Sequence, residues 1–344
     1  MDKVIIYGLG SFYEKYKEDI LSIYEVSGYV DRNVPINRDT EVCQDFDDIK
    51  VPYDKVLIMV SKVKICFEII DILLTKGVKS EDIVLGISKW GEYSGLSNIY
   101  VDSSGKINIE KGELTVTVGS EDEFINTIDT IMYECYKYHL CSGKRQVVFD
   151  VGMNIGDAAL YFAIKPEVEA VYGFEPFKKT FDNALININR LQTAKTIKAF
   201  NIGLSNRDYV GKIAYSSDMS CGQSTIPNIN DKAIAVYQEW RLLHNENLQY
   251  EEIEVKKSSD VIKNVMDSYR DVDYILKLDC EGEEYHIFEN LSESGLIQEF
   301  SLIMLEWHYK SDKKLTEILK ENNFSYISTQ KSINPDLGLI YAWK

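Results

Sequence analysis

The sequence predicts an α/β fold built from two Rossmann-like units, and three observations lead there. Strand–helix alternation runs over residues 1–90, is interrupted, and resumes from Arg145. In each stretch it opens on a short apolar run ending in glycine, KVIIYG at Lys3–Gly8 and VVFDVG at Val147–Gly152, as a buried parallel strand does. At 344 residues the chain also exceeds one ordinary core.

In order, Lys3–Gly8 reads as a strand, Ser11–Tyr24 as a helix and Ser27–Asn33 as a second strand. Asp54–Ser61 is a third strand, Val63–Lys76 a helix stopped by Gly77, and Asp82–Gly86 a fourth strand. Residues 1–90 thus form a small Rossmann-like domain. Residues 91–120 change character: Tyr100–Ile109 and Glu113–Val118 alternate around Ser103-Ser104-Gly105 and Lys111-Gly112, which predicts a β-hairpin connector. Residues 121–344 form the second domain. It opens on a helix over Glu121–Leu140, with a capping box at Ser120 and Glu123 and an apolar face of Ile125, Ile128, Ile131 and Met132. Strands then fit Gln146–Val151, Ala170–Phe174, Thr196–Ile202, Tyr274–Asp279 and Phe300–Trp307. Helices fit Asp157–Ala163, Lys178–Arg190 and Glu283–Leu291.

Composition narrows the function classes. The chain is 45% hydrophobic and 27% charged, as globular proteins are. Its net charge of −17, from 38 basic and 55 acidic residues, argues against nucleic acid as a partner. No apolar run approaches the about 20 residues of a membrane span. No basic region precedes an apolar stretch at the N-terminus, so no secretion signal is expected and the cytoplasm is the expected compartment. The six cysteines form no CxxC pair and do not space with the four histidines as zinc ligands, so free thiols are expected. Nothing in the residues indicates an oligomeric state.

The chemistry starts at FDVGMNIGD. A buried strand ends at Asp150, Gly152 and Gly156 turn the chain, and a helix follows whose free N–H groups face any ligand at the turn. In VYGFEP the next strand ends at Glu175, where a carboxylate can accept hydrogen bonds from both ribose hydroxyls and would repel a 2′-phosphate. NAD fits these two features as well as any other nucleoside.

The wider run FDVGMNIG, FEPF, NIGLSN, SCGQST, LKLDCEGEEY and MLEWH, over Val147 to Tyr309, resembles the FkbM family of S-adenosylmethionine-dependent methyltransferases. The resemblance implies a class I methyltransferase fold with a mostly parallel seven-stranded sheet, S-adenosyl-L-methionine as cofactor, and an oxygen atom as the usual acceptor. It implies that Asp150, Gly152, Asn154 and Gly156 hold the methionine part of the cofactor, that Glu175 binds the ribose, and that Asn201 and Gly203 line the adenine pocket. Met153 departs from the family, where alanine is common; methionine packs adaptably, so little consequence is expected.

LKLDCEGEEY carries the catalytic expectation. Lys277 and Asp279 point to one side of a strand, and Glu281 begins the turn at its carboxyl end, where open α/β sheets place their sites. Glu306 and His308 end the following strand on one face. Methyl transfer needs an acceptor hydroxyl held in line and a base for its proton. His308 or Asp279 is the candidate base, with Glu281 and Glu306 orienting the acceptor; Lys277 and Asp279 also belong to the site, Asp279 on the cofactor side too. No metal is assigned, although the oxygen ligands of Asp279, Glu281 and Glu306 beside His308 would suit Mg²⁺, and spacing alone does not decide. Ser220–Thr225 reads as a loop over the cofactor edge and Tyr237–Glu252 as an insertion over the acceptor cleft.

The N-terminal unit resembles small Rossmann-like domains attached to bacterial sugar-modifying and glycan-assembly proteins. Gly8 and Gly10 begin a dinucleotide fingerprint and Asp31 ends its second strand, but Tyr13 stands where the third glycine belongs. The expected function is O-methylation of a hydroxyl on a sugar, glycan precursor or similar small molecule. An NAD- or nucleotide-sugar-dependent oxidoreductase or epimerase using the N-terminal domain, and a non-catalytic cofactor-binding module, remain the alternatives.

Overall fold

Short apolar runs without polar alternation become parallel strands covered on both faces, and both halves of the chain are organised by this rule. A computed structural model describes residues 1–33, 42–96, 98–191, 196–216, 224–225, 248–330 and 337–344. The chain divides into two units, Met1–Met132 and Tyr133–Lys344.

In the first unit, strands β1 (Lys3–Tyr7), β2 (Glu25–Val30), β3 (Val42–Cys43), β4 (Lys55–Ile58) and β5 (Ile83–Leu85) make one parallel sheet in the order β3-β2-β1-β4-β5. Its middle is the apolar run itself: Val4, Ile5, Ile6, Val56, Leu57 and Ile58 have no exposed surface. Helices α1 (Ser11–Ile23) and α2 (Val63–Thr75) follow β1 and β4. The two-residue β3 is one strand more than the four expected, because so short an edge strand carries no apolar run.

The segment 91–120 is not a bridge between units. Helix α3 (Gly86–Lys89) is followed by β6 (Asn98–Val101), β7 (Ile107–Lys111) and β8 (Leu114–Val118), an antiparallel meander belonging to the first unit. Helix α4 (Glu121–Thr127) belongs there too, so the division falls after Met132 rather than at 120. The Ser120 hydroxyl accepts from the Glu123 N–H at 3.2 Å, and the Glu123 carboxylate accepts from Gly119 N–H at 2.7 Å, a capping box displaced by one residue. The helix expected to reach Leu140 ends at Thr127 and passes into a π turn over Ile128–Met132; Glu134 then adopts a left-handed backbone (φ 53°) that no helix continues through. The buried face is accordingly Phe124, Ile128 and Ile131, while Ile125 is exposed.

The second unit contains β9 (Arg145–Val151), α5 (Asp157–Ala163), β10 (Val168–Phe174), α6 (Lys178–Ile188) and β11 (Ile197–Phe200). After these come β12 (Gly203–Ser205), β13 (Tyr209–Ser216), β14 (Leu248–Lys257), α7 (Ser258–Met266), β15 (Val272–Leu278) and α8 (Glu284–Glu293). The chain ends on β16 (Phe300–His308), α9 (Lys313–Glu321), β17 (Ser325–Gln330) and β18 (Leu337–Trp343). The main sheet runs β11-β10-β9-β15-β16-β18-β17, parallel except for β18, which is antiparallel to both neighbours. This is the mostly parallel seven-stranded sheet that the resemblance implies. Its order reverses at β9, between β10 and β15, so the ligand crevice belongs outside the carboxyl ends of these three strands. Helix α5 is apolar or aromatic apart from Asp157 in its first turn, and every residue of it is buried.

Besides helices α7 and α9, two groups of strands in this unit have no counterpart among the expected elements. Strands β12, β14 and β13 form a separate sheet, and β17 and β18 complete the main one. The stretch 237–252 lies outside the described residues up to 247, and its remainder enters β14. Of Ser220–Thr225, only Ser224 and Thr225 are described. The described cysteines 43, 66, 135, 141 and 280 are free thiols, and Cys221 lies outside the described residues. No described helix is long and apolar enough to cross a membrane.

Phe149, at the centre of β9, is fully buried, 5.9 Å ring to ring from Tyr172 and 5.8 Å from Phe300. Phe149→Ala should therefore cost about 3–5 kcal/mol in the unfolding transition of the second unit. Truncating Val210, largely exposed on β13, should cost under about 0.5 kcal/mol. Urea titration followed by tryptophan fluorescence checks both.

Candidate active site

Asp150 is the sixth residue of β9 and has no exposed surface. Its partner in register on β15 is Lys277, and the two side chains meet as a buried ion pair at 3.0 Å. The Lys277 ammonium also donates to the Gly152 carbonyl at 2.7 Å and lies 4.0 Å from Asp279 Oδ2. Burial pushes the Asp150 carboxyl up and Lys277 draws it back. Burial also works against the Lys277 charge, but Asp150 and Asp279 outweigh it and hold the ammonium above its ordinary range. Both residues thus lie beneath the glycine loop and shape it.

The loop is sterically determined. Gly152 has φ +79°, and a Cβ there would come 1.7 Å from the Asp279 carbonyl oxygen, so only glycine lets β9 and β15 close here. Gly152 and Met153 N–H groups both donate to the Phe174 carbonyl, at 3.1 and 3.0 Å. Asn154 (φ 50°) and Gly156 (φ +84°) complete the turn into α5. The departure at Met153 has a visible accommodation: its side chain is fully buried over Gly173 of β10, where a Cβ would meet its sulfur at 2.2 Å.

Glu175 follows β10 and turns back toward the loop. One carboxylate oxygen accepts from the Asn154 N–H and the other from the Phe177 N–H, each at 3.0 Å. Burial pushes its carboxyl up to about 7, against the pull of those two N–H groups and of Lys277. Asn201 braces this corner, its amide donating to the carbonyls of Glu175 and Pro176 at 2.9 Å each. Gly203, at the start of β12, packs closely on Val255 and Pro176. In the first unit Asp31 is wired the same way, accepting from Leu9 N–H at 2.7 Å and Asn33 N–H at 2.8 Å. Tyr13, where the third fingerprint glycine was missed, is buried edge-on to Tyr29.

Beside the loop, the four expected acid–base residues converge. His308 Nε2 lies 3.8 Å from Asp279 Oδ1, 3.8 Å from Glu281 Oε1 and 3.9 Å from Glu306 Oε1. Glu281 reaches inward through a left-handed backbone (φ 52°), a conformation uncommon for a residue with a side chain. Asp279 is the most open of the group, its side chain 29% exposed against 7% for His308. Burial opposes a charge on His308, yet Glu281, Glu284 and Asp279 together hold its imidazolium well above the ordinary histidine range.

Three contributors were not foreseen. Glu284 accepts from the N–H groups of Cys280 (3.0 Å) and Gly282 (2.8 Å) and pairs with His308 Nδ1 at 2.9 Å. Its position at the start of a helix was visible in GEEY, but its partner was not. The Tyr309 hydroxyl donates to Glu281. The Tyr136 hydroxyl lies 3.5 Å from Asp279 Oδ2 and its ring faces the Lys277 ammonium at 5.7 Å, from 143 residues away in the chain.

The raised Glu175 carboxyl fixes a pH dependence. Its folded-state pKa of about 7 exceeds the unfolded value near 4.5, so the ligand-free fold is favoured with the group protonated. That contribution is full below about pH 4.5, decreases as the pH rises, and is gone above about pH 7. The ligand-free wild type should therefore lose more stability between pH 5 and pH 8 than Glu175→Gln, which removes the titration; thermal midpoints of both proteins across that range check it.

The methyltransferase FkbM domain profile matches residues 150–326, just over half of the chain. No curated protein matches. The structure is similar to that of the methyltransferase FkbM from Methylobacillus flagellatus KT, at 13% identity and a TM-score of 0.39 over 99% of this chain and 90% of that one. It is also similar to a human methyltransferase 10 domain containing protein (10% identity, TM-score 0.36, 81% and 96% covered). A third similar structure is the N-terminal domain of human METTL16 in complex with SAH (11% identity, TM-score 0.32, 72% and 75% covered). With the profile spanning the glycine loop, the Glu175 corner and the acid–histidine cluster, the chain belongs to the FkbM family of methyltransferases.

Proposed function

We propose that the protein transfers the methyl group of S-adenosylmethionine to a hydroxyl oxygen of a sugar, glycan precursor or similar small molecule. The observation that carries this reading is the contact between Gly152 and the Asp279 backbone. It joins the loop that would take the cofactor to the first residue of a cluster able to receive a proton. A glycine turn at the sheet's reversal point, beside the strand-end carboxylate of Glu175, fits an adenosine-bearing cofactor.

The cofactor supplies an electrophilic methyl carbon on a sulfonium. Glu175 would accept hydrogen bonds from the ribose hydroxyls, and the loop from Gly152 through Asn154 to Gly156 would hold the methionine part. Asp150 and Lys277, being buried, act as positioning residues for that loop. Asn201 acts through the Glu175–Pro176 backbone, and Gly203 keeps the neighbouring strand close. On the acceptor side Asp279 is the accessible carboxylate and takes the hydroxyl proton, while Glu281 and Glu306 orient the acceptor around His308. The glycan part of the reading follows the resemblance of the N-terminal unit to domains of sugar-modifying proteins.

Calorimetry should show S-adenosylmethionine binding to the wild type, weakened at least about tenfold in Glu175→Ala by loss of charge-assisted hydrogen bonds. With a hydroxyl acceptor found from a sugar panel, Asp279→Asn should lower kcat by roughly 10²–10⁴. Absence of S-adenosylmethionine binding would remove the transferase reading. Turnover within about threefold of wild type in both Asp279→Asn and His308→Ala would remove the base assignment.

A further inference from the structure

The acid cluster surrounds a nitrogen that has no hydrogen bond among the described residues. His308 is more than nine-tenths buried, and its Nδ1 is committed to Glu284. Its Nε2 points between carboxylate oxygens of Asp279, Glu281 and Glu306 at 3.8–3.9 Å, too far for hydrogen bonds. With Nδ1 committed to Glu284, Nε2 faces three carboxylate oxygens across a gap wider than a hydrogen bond. A divalent cation in that gap would displace the Nε2 proton and take the nitrogen and the carboxylate oxygens as ligands.

We infer that Asp279, Glu281 and His308 hold a divalent metal ion, through Asp279 Oδ1, Glu281 Oε1 and His308 Nε2. These donor atoms lie within 4.8 Å of one another. Two ligands each about 2.2 Å from one ion are about 3.8 Å apart when they subtend about 120°, the separation found from Nε2 to each of the two carboxylates. The surroundings are those of a metal-bound histidine: Nδ1 is fixed by a carboxylate, and that carboxylate is held by two backbone N–H groups. Glu281 is braced by the Tyr309 hydroxyl. Two carboxylates and one imidazole lie between the all-oxygen sets that suit Mg²⁺ and the nitrogen-rich sets that suit Zn²⁺, which favours an ion such as Mn²⁺.

The inference rests on the acceptor site proposed above and deepens it. Three protein ligands leave coordination positions for acceptor or solvent oxygens, and a hydroxyl bound to the ion loses its proton more readily. Asp279 Oδ2, 3.5 Å from the Tyr136 hydroxyl and 4.0 Å from the Lys277 ammonium, stays outside the ion's coordination and is the oxygen that takes the acceptor proton.

The test uses the full chain, stripped with EDTA and dialysed. Mn²⁺ titration followed by electron paramagnetic resonance should show one bound ion per chain, with S-adenosylmethionine affinity measured on the same preparation by calorimetry. Glu281→Gln and His308→Gln should each weaken Mn²⁺ binding at least about tenfold, the scale expected for losing a ligand. Cofactor affinity should stay within about threefold, and thermal melting shows that each variant is folded. No saturable Mn²⁺ binding alongside normal cofactor binding overturns the metal site and leaves the transferase reading standing. Mn²⁺ binding unchanged in a folded Glu281→Gln protein also overturns it. Mn²⁺ bound at these residues without any S-adenosylmethionine binding overturns the transferase reading alone.

Discussion

A buried ammonium joins the two central strands of the second unit at the point where the sheet order reverses. Lys277 on β15 meets Asp150 on β9 across one rung of the ladder, and the same nitrogen takes the Gly152 carbonyl and faces Asp279. Burying an ammonium and a carboxylate costs on the order of several kcal/mol per ion unless both are well paired. Once paired, neither can move without leaving the other charge unscreened. The pair therefore fixes the start of the glycine loop and the end of β15 together, and the two halves of the site are built on one electrostatic contact. Gly152 makes the closure sterically possible, since any side chain would strike the Asp279 carbonyl.

The two strand-end acids illustrate how a functional feature can first be a structural one. Glu175 takes two loop N–H groups, that of Phe177 being buried, and Asp31 takes two in the first unit, that of Asn33 being exposed. An acid at this position thus ties together the backbone of a strand–loop–helix turn before any ligand is considered. What separates the units is the setting: Glu175 is backed by a buried ion pair and adjoins a cluster of acids, whereas the fingerprint helix of the first unit buries Tyr13 where close packing would need glycine.

The acceptor side is organised from below. Glu284 is the hidden member: it ties the turn after β15 through Cys280 and Gly282, and it fixes His308 through Nδ1. The imidazole, rigid and buried, then presents its other nitrogen to carboxylates that come from a turn and from its own strand. Asp279, the most exposed of them, is where the cluster opens.

Much of this protein was legible in its residues because parallel strands buried on both faces must be continuous apolar runs, and glycine must occupy left-handed turns. These two constraints determined the strands from Lys3 to Tyr7 and from Arg145 to Val151, the loop from Gly152 to Gly156, and the acid that closes it. Alternation along β15 and β16 likewise determined that Lys277 and Asp279, and Glu306 and His308, share a side. Tertiary structure decided the rest. The sheet of β12, β13 and β14 and the pair β17 and β18 contain half-exposed strands whose pairing depends on distant partners. The helix from Glu121 stopped at Thr127 because a left-handed residue follows the π turn, and periodicity does not report backbone angles. Asp150, read as a cofactor contact, turned inward to Lys277, and Tyr136 came from far along the chain to face Asp279. Local pattern fixes which side of an element a residue occupies; whether that side meets solvent, a ligand or a buried countercharge is determined only when the other elements close over it.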